Sequence, residues 1–232
     1  MIKAIIFDLD GTLANTLTTL AYYGNKTLEH IGLGPVETQK FRYLVGRGIV
    51  VLMQDMLLAC GKEPNDELVE SMVRDFNDMY LKDTMYLTDA YDGIREMLAS
   101  LKRDGYKLAV CSNKPDAATQ KVVAALFGDT FDLVLGKREE FPRKPEPDSV
   151  LYIARQLGVS SDECLYVGDT DTDMQTGNAA AMTTVGVLWG FRDQQELEQN
   201  NASYIAKEPM DICSIAKKKE LCLCSDTQSR AF

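Results

Sequence analysis

Asp8 and Asp10 close a short apolar run in the segment Lys3-Ala4-Ile5-Ile6-Phe7-Asp8-Leu9-Asp10-Gly11-Thr12. On an extended chain, residues two apart point to the same side, so the two carboxylates share one edge. Like charges held that close call for a cation, a shared proton or both. Gly11 lets the backbone turn sharply beside them without a Cβ clash, and Thr12 adds a hydroxyl at the same edge. The unbroken run Ala4 to Phe7 fits a parallel strand covered on both faces, whose carboxyl end is where ligands bind in such sheets. The chemistry on offer is metal-assisted catalysis.

Other strand-like runs also end in polar residues. One ends Cys111-Ser112-Asn113-Lys114-Pro115, another Val167-Gly168-Asp169-Thr170-Asp171-Thr172-Asp173, and between them lies Arg143-Lys144-Pro145-Glu146-Pro147-Asp148. In a parallel sheet all these ends fall at one edge, so residues far apart in sequence can share a site. Asp171 reads as a helix N-cap or first-turn residue, where an acid favours the helix dipole.

These four segments, in this order, resemble the signature motifs of the haloacid dehalogenase superfamily of Mg-dependent phosphatases, over nearly the whole chain up to about Ile215. The resemblance implies that Asp8 is the nucleophile, forming an aspartyl-phosphate. Asp10 then protonates the leaving oxygen and later activates water, a dual role that one carboxyl can serve because the two half-reactions have opposite proton demands. An acid at this position favours phosphate esters, because a halide leaves without a proton. Ser112 and the backbone N–H of Asn113 bind the phosphoryl oxygens, with Gly11 and Thr12 shaping the loop at that phosphate-binding edge. Lys144 neutralises charge on the phosphoryl group and on Asp8. Mg2+ is expected on the Asp8 carboxylate, the Asp10 backbone carbonyl and Asp169; Asp173 either holds a coordinated water or orients Lys144. The mutase branch of the superfamily carries a His shortly after the first motif. Here the single His of the chain is His30, Thr16 to Ala21 has none, and Asn15 stands where relatives commonly have Asp. Val45-Gly46-Arg47-Gly48 is similar to a loop of phosphoglycolate phosphatases; Arg47 could fork onto a substrate carboxylate, or the segment is a plain turn with a solvated Arg.

The elements that must position these residues follow from periodicity. Strands are expected at Ala4–Phe7, Lys107–Cys111, Phe131–Leu135, Cys164–Val167 and Thr184–Leu188, alternating from Ala90 onward with helices ending at Arg103, Leu126, Leu157 and Ala180. This is the pattern of a doubly wound, Rossmann-like α/β parallel sheet. Between the first strand and the next unit lie four helical stretches, Thr16–Ile31, Glu37–Val45, Ile49–Cys60 and Asp66–Leu81, an inserted block where the superfamily carries its helical cap. The expected division is residues 1–14 and 85–217 as core, 15–84 as cap and 218–232 as a polar, Cys-containing tail.

Composition limits the partners. A formal charge of -10 over 232 residues argues against nucleic acid and anionic membrane surfaces. No apolar stretch is long enough to span a bilayer and the N-terminus enters a strand directly, so the expectation is a cytoplasmic monomer or homodimer acting on a small phosphorylated metabolite. The six cysteines show no disulfide framework; Cys222 and Cys224 read as a loose thiol pair or a metal clip.

Overall fold

The computed structural model describes residues 1–218. Strand β1 (Ala4–Phe7) lies at the middle of a six-stranded parallel sheet. Chain order continues through the two-residue strand β2 (Ala14–Asn15) and helices α1 (Leu17–His30), α2 (Phe41–Leu44), α3 (Ile49–Ala59) and α4 (Asp66–Tyr80). It then returns through β3 (Asp89–Ala90), α5 (Ile94–Arg103), β4 (Lys107–Pro115), α6 (Asp116–Phe127), β5 (Leu133–Lys137) and α7 (Asp148–Gln156). The remainder is β6 (Cys164–Gly168), α8 (Asp171–Ala179), β7 (Thr183–Val187), α9 (Gln194–Gln199) and β8 (Tyr204–Ala206), followed by helical residues 210–218.

The sheet order is β5-β4-β1-β6-β7-β8. Chain progress thus reverses at β1, which pairs with β4 on one side and β6 on the other, and this is the switch point where open α/β sheets bind ligands. Register fixes the heights of the strand ends: Phe7 lies opposite both Val110 and Val167. Asp8 therefore leaves the sheet level with Cys111 and Gly168, one residue before Ser112 and Asp169. Both faces are dry, as the apolar runs require. Ile5, Phe7, Leu108, Val110, Leu165 and Val167 pack against α5 and α6. Ala4, Ile6, Ala109, Cys111 and Tyr166 pack on α7 through Val150 and Ile153.

The helical block buries a core of its own. Helix α4 presents Val69, Met72, Phe76 and Tyr80 on one stripe, at the spacing of a helix face, and Asn65 caps its start by accepting from the Leu68 N–H. Leu20, Tyr23 and Leu28 of α1, Phe41 of α2 and Met53, Met56 and Leu57 of α3 complete this core, to which Ala118 and Phe191 of the α/β part also belong.

Several elements differ from the sequence reading. The expected helix at Glu37–Val45 is a 3-10 turn at Thr38–Lys40 followed by the short α2. Strand β4 runs on to Pro115, with a register shift after Cys111 that the apolar run does not betray. A sixth strand, β8, escapes a pattern reading because it has only three residues. The two chain crossings into the helical block pair as an antiparallel ribbon, Ala14 with Ala90 and Asn15 with Asp89. The tail from residue 219, with Cys222 and Cys224, lies outside the described residues; Cys60, Cys111, Cys164 and Cys213 are free thiols. Among the described residues, no helix is long and apolar enough to cross a membrane.

Candidate active site

Lys144 is the hub of the strand-end cluster. Its Nζ stands 2.9 Å from Asp8 Oδ1 and 2.7 Å from Asp173 Oδ1, and it donates to the Tyr166 hydroxyl at 3.0 Å and the Cys111 carbonyl at 3.2 Å. Burial on its own would favour the neutral amine, but the charges of Asp173 and Asp8 outweigh it and hold the ammonium well above its usual range. Asp173 is engaged on both oxygens. Oδ1 takes the lysine and the Tyr166 hydroxyl, and Oδ2 accepts from the backbone N–H and hydroxyl of Thr170, closing a capping box at the start of α8. These contacts fit the Lys144-orienting role expected for Asp173, which also belongs to the carboxylate cluster that could hold a metal. Asp171 follows Thr170, the N-cap, as a first-turn residue.

Asp169 is fully buried. Its Oδ1 accepts from the Thr12 hydroxyl at 2.9 Å and its Oδ2 from the Phe191 N–H at 2.8 Å. A Cβ on Gly11, whose φ is +87, would fall 2.3 Å from Asp169 Oδ2, so the sharp turn after Asp10 is also what admits this carboxylate. Asp8, Asp169 and Asp173 each offer a carboxylate oxygen within 4.8 Å of the others. Burial, offset by Lys144 and reinforced by the charge of Asp173, pushes the Asp8 carboxyl up to about 7. Burial, then the charges of Asp173 and Asp8, hold Asp169 well above the usual carboxylate range. Three buried carboxylates around a single ammonium leave uncompensated negative charge on hard oxygen donors, which is the donor set that suits Mg2+. Asp8 and Asp169, whose oxygens keep lone pairs free, are the groups that could hold it directly.

Asp10 faces elsewhere. Both its oxygens lie at 2.9 and 3.0 Å from Nζ of Lys114, a buried lysine to which the motif reading gave no role. Ser112 and Asn113 line the same cavity as Asp8 and Asp10. The Asn113 side chain is a bridge: Oδ1 accepts from the Lys144 N–H, while Nδ2 donates to the carbonyls of Lys144 and of Gly46 in the helical block. The block is docked through further backbone oxygens. Arg192 reaches the Val45 carbonyl, Arg143 the Arg47 carbonyl, and Arg42 the carbonyls of Gly190 and Phe191.

Three assignments need correction. Arg47 does not line the cavity; its guanidinium turns out to Asp55 at 2.6 Å, and the Gly-Arg-Gly loop serves the site through its backbone. Thr12 and Gly11 are not placed to bind phosphate either: the Thr12 hydroxyl is committed to Asp169 and the Gly11 N–H to the Ala14 carbonyl. Sequence reasoning also passed over Lys114, Tyr80 and the loop at Gly190 and Phe191. Lys114 had a signal, being a lysine inside a strand-end motif. Tyr80 had none, since an aromatic on an amphipathic stripe reads as core.

This fold and this cluster define a class. Residues 5–187 match the model of the haloacid dehalogenase-like hydrolase family. The chain belongs to that family, and its relatives make it a phosphatase. It is 31% identical to a phosphoglycolate phosphatase of Aquifex aeolicus over 92% of this chain and 96% of that one. It is likewise 31% identical to a phosphoglycolate phosphatase of Haemophilus influenzae, over 92% and 97% of the two chains. Among solved structures, a predicted phosphoglycolate phosphatase from Haemophilus somnus superposes with a TM-score of 0.84 at 29% identity, covering 92% of this chain and 97% of that one.

Proposed function

We propose that this chain is a Mg2+-dependent phosphatase that hydrolyses a short phosphoester, 2-phosphoglycolate being the favoured substrate, through an aspartyl-phosphate on Asp8. The observation that carries the reading is the convergence of Asp8, Lys144 and Asp169 in one buried cluster at the strand ends, from which Asp8 reaches a cavity that Asp10 also lines. An Asp8 oxygen attacks phosphorus as the bond from phosphorus to the ester oxygen breaks, and Asp10 gives its proton to the departing alkoxide. Water then attacks the acyl phosphate while Asp10 takes back a proton, releasing phosphate and restoring the Asp8 carboxylate. Lys144, held by Asp173, faces the charge that builds on the equatorial oxygens and needs no reorganisation to do so. Bound at Asp8 and Asp169, with the Asp10 carbonyl as a further ligand, Mg2+ would supply electrostatic relief between nucleophile and anionic substrate.

Residues 15–84 act as a cap. Closed fully over the site, they would exclude bulk water from the reacting centre, and release of product requires them to lift. The cavity left beneath them is about 50 Å³, which favours a leaving group of a few atoms over a nucleoside or a sugar. The reading is tested by phosphate release from a panel of phosphoesters with and without Mg2+. Asp8→Asn should lose at least about 10³-fold in turnover while remaining folded; undiminished release by that variant refutes the nucleophile assignment.

A further inference from the structure

Tyr80, at the end of α4, is 2% exposed, yet its hydroxyl has no hydrogen-bond partner among the described residues. A buried polar atom left unpaired costs stability, and in a ligand cavity it marks where a ligand atom belongs. Tyr80 lines the cavity that holds Asp8 and Asp10. Lys114 lines it too, the only cation among the described residues that do, with Nζ 4.8 Å from the centroid of the Tyr80 ring. The ammonium thus lies against the ring and interacts with the hydroxyl, without meeting hydrogen-bond geometry to it. An ammonium has three N–H donors, and the two oxygens of Asp10 occupy at most two of them. Around this pair Leu20, Ile49, Leu52 and Phe76 form an apolar wall, with the Asn77 amide among them. A donor hydroxyl and a spare ammonium N–H in low-dielectric surroundings make a site for an anionic oxygen pair.

Resting on the phosphatase reading above, we propose that Tyr80 and Lys114 form the receptor for a carboxylate on the leaving group, the role that Arg47 does not fill. Geometry bounds the length of that group. Asp10 must touch the ester oxygen, Lys114 Nζ is one hydrogen bond from Asp10 and the carboxylate one more from Nζ, so the carboxylate lies within three hydrogen-bond lengths of the ester oxygen, roughly 9 Å. The small cavity narrows the leaving group further, to one or two carbons between the ester oxygen and the carboxylate. The substrate class is therefore a phosphorylated short 2- or 3-hydroxy acid. The site selects it by pairing charge in the tail, and the small cavity turns away longer chains.

The test compares 2-phosphoglycolate with isobutyl phosphate, which keeps the heavy-atom shape but has methyls in place of the carboxylate oxygens. Wild-type enzyme should prefer the carboxylate. Tyr80→Phe should lose about tenfold or more in kcat/KM on 2-phosphoglycolate, chiefly in KM, and change less than about twofold on isobutyl phosphate. Its thermal midpoint should stay level or rise, because the hydroxyl gives up no bond in the free protein. Equal losses on both esters, no loss on 2-phosphoglycolate, or turnover of both esters without preference would overturn the receptor and leave the phosphatase reading standing. If no ester is turned over, the phosphatase reading is what fails. The receptor is then read by calorimetric binding of 2-phosphoglycolate to the wild-type and Tyr80→Phe proteins: a Kd about tenfold weaker in the variant supports it, and an unchanged Kd overturns it.

Discussion

Asp173 Oδ1 lies 2.7 Å from Lys144 Nζ, closer than the 2.9 Å that separates the same nitrogen from Asp8. The lysine is thus moored to a residue that α8 and Thr170 hold fixed, and it is presented to the nucleophile from there. Lys144→Met should leave three buried carboxylates without a cation, costing about 3–5 kcal/mol of stability in metal-free protein and about 10²–10³-fold in kcat. Asp173→Asn keeps shape and weakens the mooring, so a smaller loss of about 1–3 kcal/mol is expected, with kcat falling and KM little changed. Calorimetry beside a phosphate-release assay separates the two effects.

Arg47 and Asn113 make an opposed pair. The exposed Arg47–Asp55 ion pair is worth less than about 1 kcal/mol, and its guanidinium is outside the cavity, so Arg47→Ala should leave kcat/KM within about threefold of wild type. Asn113→Ala removes the buried amide that joins the Gly46 carbonyl to the Lys144 backbone. It should cost about ten- to a hundredfold in kcat/KM, since loosened positioning of a catalytic group is expensive even at a distance. Steady-state kinetics on one short phosphoester decides both, and a large loss at Arg47 would restore that residue as a substrate contact.

How far the residues spoke in advance depends on the range of the interaction. Ile5-Ile6-Phe7 running into Asp8 and Asp10 is a local pattern, and the parallel strand, its burial and the carboxylates at its end were all readable from it. Lys144 and Asp169 were readable because four motifs recur in a fixed order. Direction was harder to read. Arg47 sits in a loop that docks on the site, yet its side chain points away, and nothing in Val-Gly-Arg-Gly distinguishes a backbone contact from a side-chain one. Tyr80 occupies the stripe with Val69, Met72 and Phe76, so its hydroxyl is concealed by its own periodicity. The ribbon of Ala14–Asn15 with Asp89–Ala90 pairs residues far apart in sequence, and two-residue strands carry no alternation to detect.

Gly190 supports the candidate metal ligand from behind. A Cβ there would lie 2.3 Å from the Asp169 Cβ and 2.4 Å from the Gly11 carbonyl oxygen, both parts of the site with little room to move. Gly190→Ala should therefore destabilise by about 1–3 kcal/mol through overpacking and weaken Mg2+ binding by displacing the Asp169 carboxylate. Titration calorimetry with Mg2+ alone reads the second effect without any turnover. Unchanged affinity would show that the loop at Gly190 can yield without moving Asp169.

Acidity and metal should be linked with a definite sign. The Asp8 carboxyl is raised from 3.8 to about 7 in the folded, metal-free chain, by burial first, and Asp169 is raised as well. A raised acid stabilises the fold at pH values below its unfolded pKa, and that contribution disappears as pH climbs through the folded pKa. Metal-free protein should accordingly lose on the order of a few kcal/mol between about pH 4 and pH 8. A divalent cation competes with those protons, so Mg2+ should raise the thermal midpoint more at pH 8 than at pH 5, and its binding near pH 6 should release protons. Asp169→Asn removes one of the two raised carboxyls and should flatten the pH profile of the chelated protein. Scanning calorimetry with a chelator and with excess Mg2+ at both pH values is the measurement. Equal increments at pH 5 and pH 8 would mean that the ion does not contact this pair of carboxylates, and the candidate metal site would have to be sought elsewhere.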